Sequence, residues 1–205
     1  MNIVEKSKEK YLEYEKRHQD ILDAAIRIFN SKGYGAATTA EIAQDAGVSE
    51  PTMYKHFPSK KDLFLDCYKS IAHSLLSEYR EVFRKYREDE VGYLEGVTKV
   101  YFDFVKNSPH KSMFLVHLLS YKQDPDFERA LKDFVESSVQ GIERVLTKAK
   151  KKGKVKSKMD THALACAFVN QYFTVVALKE FIDPKFFTEK ICIQLTHTLL
   201  GIEES

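Results

Sequence analysis

Glu50, Pro51, Thr52, Tyr54, Lys55 and His56 stand within one seven-residue stretch, and their groups suit contact with base edges and phosphates. A lysine ammonium can donate to guanine O6 and N7, and a glutamate can accept from cytosine N4. Pro51 or Thr52 can pack on a thymine methyl. Glu50 has an equal second use, as an anion in the first turn of a helix, and Thr52 could instead meet a phosphate. Met53 and Phe57, four residues apart, are the apolar partners of this set. A short helix here would bury one stripe and expose the other.

The surrounding residues are those needed to hold such a helix in place. Ile42, Ala43 and Ala46 put apolar groups on one face of a preceding short helix, with Ala43 small where two helices must cross closely. Gly47 sits where a tight turn needs positive φ, Val48 starts the return to the core, and Ser49 is a good N-cap. Thr38 and Glu41 have the spacing of a capping box. Upstream, Ile21, Leu22, Ala25, Ile28 and Phe29 follow helical spacing, closed by Lys32-Gly33. Downstream, Pro58 stops the second helix, and Ser59 caps another with Asp62 at its N3 position. The pattern is a helix-turn-helix whose second helix would enter a major groove. The alternative, an ordinary helical hairpin in a core, does not need small residues and glycine placed in this way. Lys60 and Lys61 then open the next helix, where cations oppose the macrodipole. A phosphate bound there would satisfy both the free N–H groups and the lysine, whereas the plain alternative is two solvated lysines.

Together, ILDAAIRIF, GY and ATTAEIAQDAGVSEPTMYKHFPSKKDLF resemble the N-terminal DNA-binding domain of the TetR family of bacterial transcriptional regulators. The resemblance covers roughly residues 21 to 65, and beyond them extends only to length and an all-helical pattern. It implies that Thr39 and Lys60 clamp backbone phosphates and that Tyr54 and His56 touch the backbone as well. It also implies a homodimer on a palindromic double-stranded DNA operator, repression as the default, and release by a small-molecule effector.

Composition neither demands nor forbids this. The chain has 205 residues and a net charge of +2, and Lys16 to Lys61 holds seven Lys/Arg against five Asp/Glu. That excess can serve only if the cations gather on one face. No stretch approaches the ~18 uninterrupted apolar residues of a membrane span, and MNIVEKSKEK has no apolar signal-peptide region. Cys67, Cys166 and Cys192 are odd in number and widely spaced, which argues against a disulfide framework and fits a cytoplasmic protein.

Helical periodicity and the five prolines divide the chain into nine expected helices, near 17–33, 39–46, 50–56, 60–88, 91–107, 110–122, 125–151, 159–182 and 185–201. The fold expected is all-α: a three-helix DNA-binding head at 17–66, preceded by a helical extension at 1–16, and a helical effector-binding and dimerisation body at 67–205. The extension is expected to be frayed and not a minor-groove arm, because Glu5, Glu9, Glu13 and Glu15 would be repelled by phosphate. The long helix from Lys60 would link head and body.

Two long C-terminal segments are apolar on more than one side and so need more than one neighbour. Leu164, Phe168, Tyr172, Ile191, Leu195 and Leu199 are therefore expected at a dimer interface, the alternative being burial inside one chain. The middle helices are rich in aromatics, which are more often plain core than a ligand box. The resemblance nevertheless implies an effector cavity, and Tyr101, Phe104, Phe114, His117, Leu118, Phe134, Asn170 and Phe173 are its candidate lining, suited to an apolar or aromatic molecule. The lysine run 148–158 reads as a solvated loop around Gly153, with an anionic partner as the weaker option. No catalytic, cofactor or metal motif is apparent: there is no glycine-rich phosphate loop, serine elbow or HExxH, and the His162/Cys166 and Cys192/His197 spacings suit zinc poorly. The competing reading is a helical small-molecule-binding protein or enzyme with a vestigial helix-turn-helix.

Overall fold

The structure, a computed structural model, describes residues 3–121, 123–178 and 187–202. Among them are nine α-helices, one 3-10 turn and no strand, as the periodicity predicts. The helices are α1 (Ile3–Ala36), α2 (Thr39–Asp45), α3 (Glu50–His56), α4 (Lys60–Lys85), α5 (Glu90–Asn107), α6 (Pro109–Leu118), α7 (Pro125–Lys151), α8 (Thr161–Leu178) and α9 (Glu189–Leu200), with the 3-10 turn at Leu119–Tyr121. They form two compact units, residues 1–71 and 72–205, and α4 contributes to both.

In the first unit, Ile21, Leu22, Ala25 and Phe29 of α1 are buried with Ile42 and Ala43 of α2, Met53 of α3, and Phe57, Leu63, Phe64 and Cys67 around the start of α4. Phe64 meets Phe29 and Tyr34 edge-on, each at 5.0 Å between centroids. Gly33, at φ 76°, breaks α1 where the Lys32-Gly33 signal places its end. Residues 3–16, expected to be frayed, are helical instead. From Ile3 onward they are continuous with the helix expected at 17–33. Arg17 bridges back to Glu13 at 2.5 Å, and Tyr14 has a partner on α3 described below.

The second unit is built around Leu94, Tyr101 and Val105 of α5, Ile142 and Leu146 of α7, Leu164, Phe168 and Val176 of α8, and Leu200 of α9. Helix α8 packs on α6, α7 and α9, which is why it is apolar on more than one side. Leu164 and Phe168 are fully buried in this core, and Tyr172 is nearly so. These three cannot be surface contacts of a dimer, because neighbours in the same chain already cover them. Of the six residues expected at an interface, Leu195 is exposed, and Ile191 and Leu199 are half-buried.

Several helix ends move inward from where periodicity puts them, each for a local reason. Helix α4 stops at Lys85 because Asp89, in extended backbone, becomes the N-cap of α5. Helix α8 starts at Thr161, not 159, because the Asp160 carboxylate accepts from the backbone N–H groups of His162 and Ala163 at 2.9 and 3.1 Å. Helix α9 starts at Glu189, where the Thr188 hydroxyl accepts from Ile191 N–H at 3.3 Å. The end expected at 182, the start expected at 185, Pro184 and Lys122 lie outside the described residues.

The lysine run is mostly exposed, but it is not all loop and two of its lysines are paired. Lys148, Lys150 and Lys151 finish α7, where cations suit the helix dipole. Lys152 and Lys154 reach Glu90 of α5 at 2.5 and 3.2 Å, and Lys154 also lies 3.5 Å from Asp89. The Glu90 side chain is 7% exposed. Its carboxyl is pulled down to about 2, first by the Lys152 hydrogen bond, against the cost of burial. Beyond the turn at Gly153, Lys156 and Ser157 donate backbone N–H groups to Leu200 O at the end of α9.

Gly92 and Gly96 mark the closest approach of the end of α4 to α5. A Cβ on Gly96 would fall 2.5 Å from Val82 Cγ1, and one on Gly92 would fall 2.6 Å from the Tyr86 ring. Gly141, inside α7, faces open space instead. Gly96→Ala should therefore destabilise the protein by about 1–3 kcal/mol through overpacking. Gly141→Ala should stabilise it by roughly 0.5–1 kcal/mol through helix propensity. Urea unfolding of the two variants checks this, and equal midpoints would refute the close contact.

Candidate nucleic-acid interface

Helices α2 and α3 form a tight pair. Gly47 has φ 67°, and after it Val48 N–H donates to Ala43 O at 2.9 Å. Ala43 is buried, and the Thr38–Glu41 capping box closes in both directions at 3.3 and 3.2 Å. The Glu41 carboxyl lies below its usual range, held first by its bond from Lys32 and then by Thr38. Ser49 caps α3 by accepting from Thr52 N–H at 3.3 Å, with Pro51 in the first turn. Met53 and Phe57 have no exposed surface. The opposite face of α3 leaves Pro51, Tyr54 and Lys55 exposed, with Glu50, Thr52 and His56 half-buried beside them.

The polar residues of this face are wired to one another. Tyr54 Oη donates to Thr39 Oγ1 at 3.2 Å, and the Thr39 hydroxyl donates onward to Glu50 Oε1. Glu50, whose two candidate uses were base reading and helix-end stabilisation, thus has a third: it ties α3 to the first turn of α2. Thr52 Oγ1 lies 2.8 Å from Ser49 Oγ, so its hydroxyl belongs to the cap. Lys55 is exposed and has no hydrogen bond or ion pair among the described residues. Arg27 and Lys32, by contrast, are paired with Asp45 at 2.7 Å and Glu41 at 2.6 Å.

Lys60 resolves its conflict with the α4 dipole inside the protein, where neither a bound phosphate nor solvation is needed. Its ammonium donates to Tyr34 O at 2.8 Å and Ala37 O at 3.0 Å, and sits 4.7 Å from the Tyr34 ring centroid. It closes the carboxyl end of α1 and pins the α1–α2 junction to the start of α4. His56 is also engaged, its ring stacked on Tyr14 of α1 with centroids 4.2 Å apart.

The second unit holds a cavity of about 270 Å³ between α5, α8 and α9, lined by Thr98, Tyr101, Phe102, Gln171, Tyr172, Thr174, Val175, Phe187, Cys192 and Leu195. Its polar edge is a buried hydroxyl cluster. Thr98 Oγ1 donates to Leu94 O and lies 3.0 Å from Thr196 Oγ1 and 3.2 Å from Tyr172 Oη. Tyr101 Oη donates to Tyr172 O at 3.1 Å. Burial raises the Tyr101 and Tyr172 hydroxyls above their usual range and keeps them neutral.

Of the eight residues expected to line a ligand site, Tyr101 alone borders this cavity. Phe114 and Leu118 are core, Asn170 faces solvent, and Phe104, His117, Phe134 and Phe173 are half-buried elsewhere. Thr98 was the missed signal, a hydroxyl in the apolar register of Leu94, Tyr101 and Val105. Among the described residues, no cluster of three or more His, Cys, Asp or Glu is placed to hold a metal ion, and no helix is long and apolar enough to cross a membrane.

The first unit is thus a helix-turn-helix of the DNA-binding class. Residues 21–67 match the family model of the bacterial regulatory proteins, tetR family, which makes this head one of the TetR type. It is 36% identical over 93 residues to the HTH-type transcriptional activator FasR of Mycolicibacterium smegmatis, covering 45% of this chain and 42% of that one. It is 27% identical over 161 residues to the nucleoid occlusion factor SlmA of Vibrio cholerae, covering 76% and 79%. Against other SlmA proteins, such as that of Mannheimia succiniciproducens, the chain spans about half of the relative's length. The fold matches a tetR-family regulatory protein from Rhodococcus RHA1, with TM-score 0.76, 22% identity and coverage of 92% and 99%. It also matches the transcriptional regulator FadR of Bacillus subtilis in complex with stearoyl-CoA, with TM-score 0.73, 17% identity and coverage of 91% and 99%.

Lys60 and Lys55 should separate in a stability assay. Lys60→Ala strips the donor from two partly buried carbonyls and should cost about 1–3 kcal/mol. Lys55→Ala removes only an exposed charge and should stay within about 0.5 kcal/mol of the wild type. Denaturant unfolding checks both, and an unchanged Lys60→Ala protein would remove the capping role.

Proposed function

We propose that this chain is a transcriptional repressor that binds a palindromic double-stranded DNA operator as a homodimer, in the cytoplasm, and leaves it when a small apolar or aromatic effector binds the body. The observation that carries the reading is the exposed face of α3, where Pro51, Tyr54 and an unpaired Lys55 stand clear of a fully buried Met53–Phe57 stripe. Lys55 donates to a base edge and Pro51 packs beside it. Thr39, Tyr54, Glu50 and Thr52 act as a pre-set polar frame, with His56 and the Lys60 charge close to backbone phosphates. One such head reads too few base pairs alone, so two are held at half-sites about one helical turn apart.

The effector site is the α5–α8–α9 cavity. Its lining contains no charged side chain, which favours a neutral molecule or a neutral part of a larger one. At about 270 Å³ it lies just under the roughly 300–1,000 Å³ of sites for drug-sized ligands. The effector acts only through a difference in affinity between two states of the body, which α4, shared by both units, relays. Dimerisation falls to the exposed part of α9 around Leu195, which is 53% exposed and also borders the cavity.

Fluorescence anisotropy with DNA from upstream of the protein's own gene, against a scrambled duplex, tests the reading. The wild type should prefer the upstream sequence at moderate salt. Lys55→Ala should lose about 1–3 kcal/mol on that sequence and much less on scrambled DNA. Leu195→Glu should sediment as a folded monomer and lose the preference while retaining weak non-specific binding. No sequence preference by the wild type would contradict the repressor reading, and a dimeric Leu195→Glu would contradict the α9 interface.

A further inference from the structure

The first turns of α1 reach across to α3 through one aromatic cluster. Tyr14 and His56 are stacked, 23° from parallel, and His18, one helical turn beyond Tyr14, stands 5.7 Å from His56 and 4.5 Å from Phe57 between centroids. The Nδ1 atoms of both histidines are shut away from solvent without a hydrogen-bond partner.

A neutral imidazole carries one N–H and one lone pair. A proton on the buried Nδ1 of His56 would be a donor with nothing to meet it, and orphaned buried donors are rarer than under-used acceptors. The ring therefore keeps its proton on Nε2. Charging it would put a second, unmet N–H into the cluster. The groups facing it are Arg17, His18 and Glu15 on α1, with Lys55 beside it on α3. Burial, then His18 and Arg17, hold the imidazole below its usual range, and only Glu15 pulls the other way.

We propose that Tyr14 and His18 are positioning residues for DNA binding: they clamp His56 as a neutral imidazole whose Nε2–H is left to donate to a backbone phosphate. This rests on the reading of α3 as the helix that meets DNA. It makes the start of α1 part of the binding apparatus, although its own carboxylates keep it off the phosphates. Tyr14 needs only its ring for this role, because stacking and exclusion of water do not involve the hydroxyl.

Two measurements on the full chain test it. Histidine ring signals of the free protein are titrated by NMR, and affinity for the upstream duplex is measured at about pH 8, above the ordinary histidine range, so that a change in ring charge does not mask a change in position. In the wild type and Tyr14→Phe, His56 should titrate below the ordinary value of about 6.5, and affinity should be equal. In Tyr14→Ala, whose site is 45% exposed and tolerates truncation, His56 should titrate higher, and affinity should fall roughly tenfold, as for a lost hydrogen bond to a charged group. In a His56→Gln background, Tyr14→Ala should cause no further loss, which a general effect on folding would not reproduce. The proposal is overturned if Tyr14→Ala titrates and binds like the wild type, or if its loss persists in the His56→Gln background. A wild type with no sequence preference would instead bring down the reading of α3, and this proposal with it.

Discussion

A helix of seven residues has no stability of its own, since isolated helices below ~12–15 residues are marginal in water even with ideal composition. Helix α3 exists because Met53 and the C-cap Phe57 are completely buried, with α2 packed on α3 and His18 of α1 against the Phe57 ring. Everything proposed for this protein depends on that anchoring. Two apolar side chains fix the axis and rotation of α3, and the rest of its surface is free for polar groups. Those groups are then held from the other side, by the Tyr54–Thr39–Glu50 hydrogen-bond chain and the Tyr14–His56 stack. A face braced in this way loses little conformational entropy when it meets a rigid duplex.

The same logic explains Lys60. Helix α1 is broken at Gly33, the Tyr34 and Ala37 carbonyls beyond the break need donors, and α4 begins with a cation that needs acceptors. One ammonium meets both requirements and joins three helices of the first unit at a single point. The second unit uses an analogous device, with Lys152 and Lys154 converging on the nearly buried Glu90 at the start of α5.

What could be read from the sequence was whatever depends on neighbours a few residues away. Thr38 with Glu41, Ser49 with Thr52, Gly47 in the turn and Ser59 with Asp62 all act where their spacing puts them. What could not be read depends on residues brought together by the fold. The carbonyl partners of Lys60 lie 26 and 23 positions away, and Thr196 joins Thr98 across 98. Helix α8 misled for a related reason. Leu164 and Phe168 show that a segment is buried on several sides, but hydrophobicity does not say whether the cover comes from the same chain or from a second one. Aromatic residues and polar breaks in apolar runs can be read from a sequence, whereas the cavity is placed by packing gaps among α5, α8 and α9, which composition does not encode.

The central claim is that the braced, exposed face of α3 is the surface that meets DNA. Chemical-shift mapping of the full chain with the upstream duplex tests it most directly. The largest changes are expected at Thr39, Thr52, Tyr54, Lys55 and His56, with the buried Met53 and Phe57 much less affected. Changes confined to the lysine-rich 148–158 segment, with α3 silent, would contradict it.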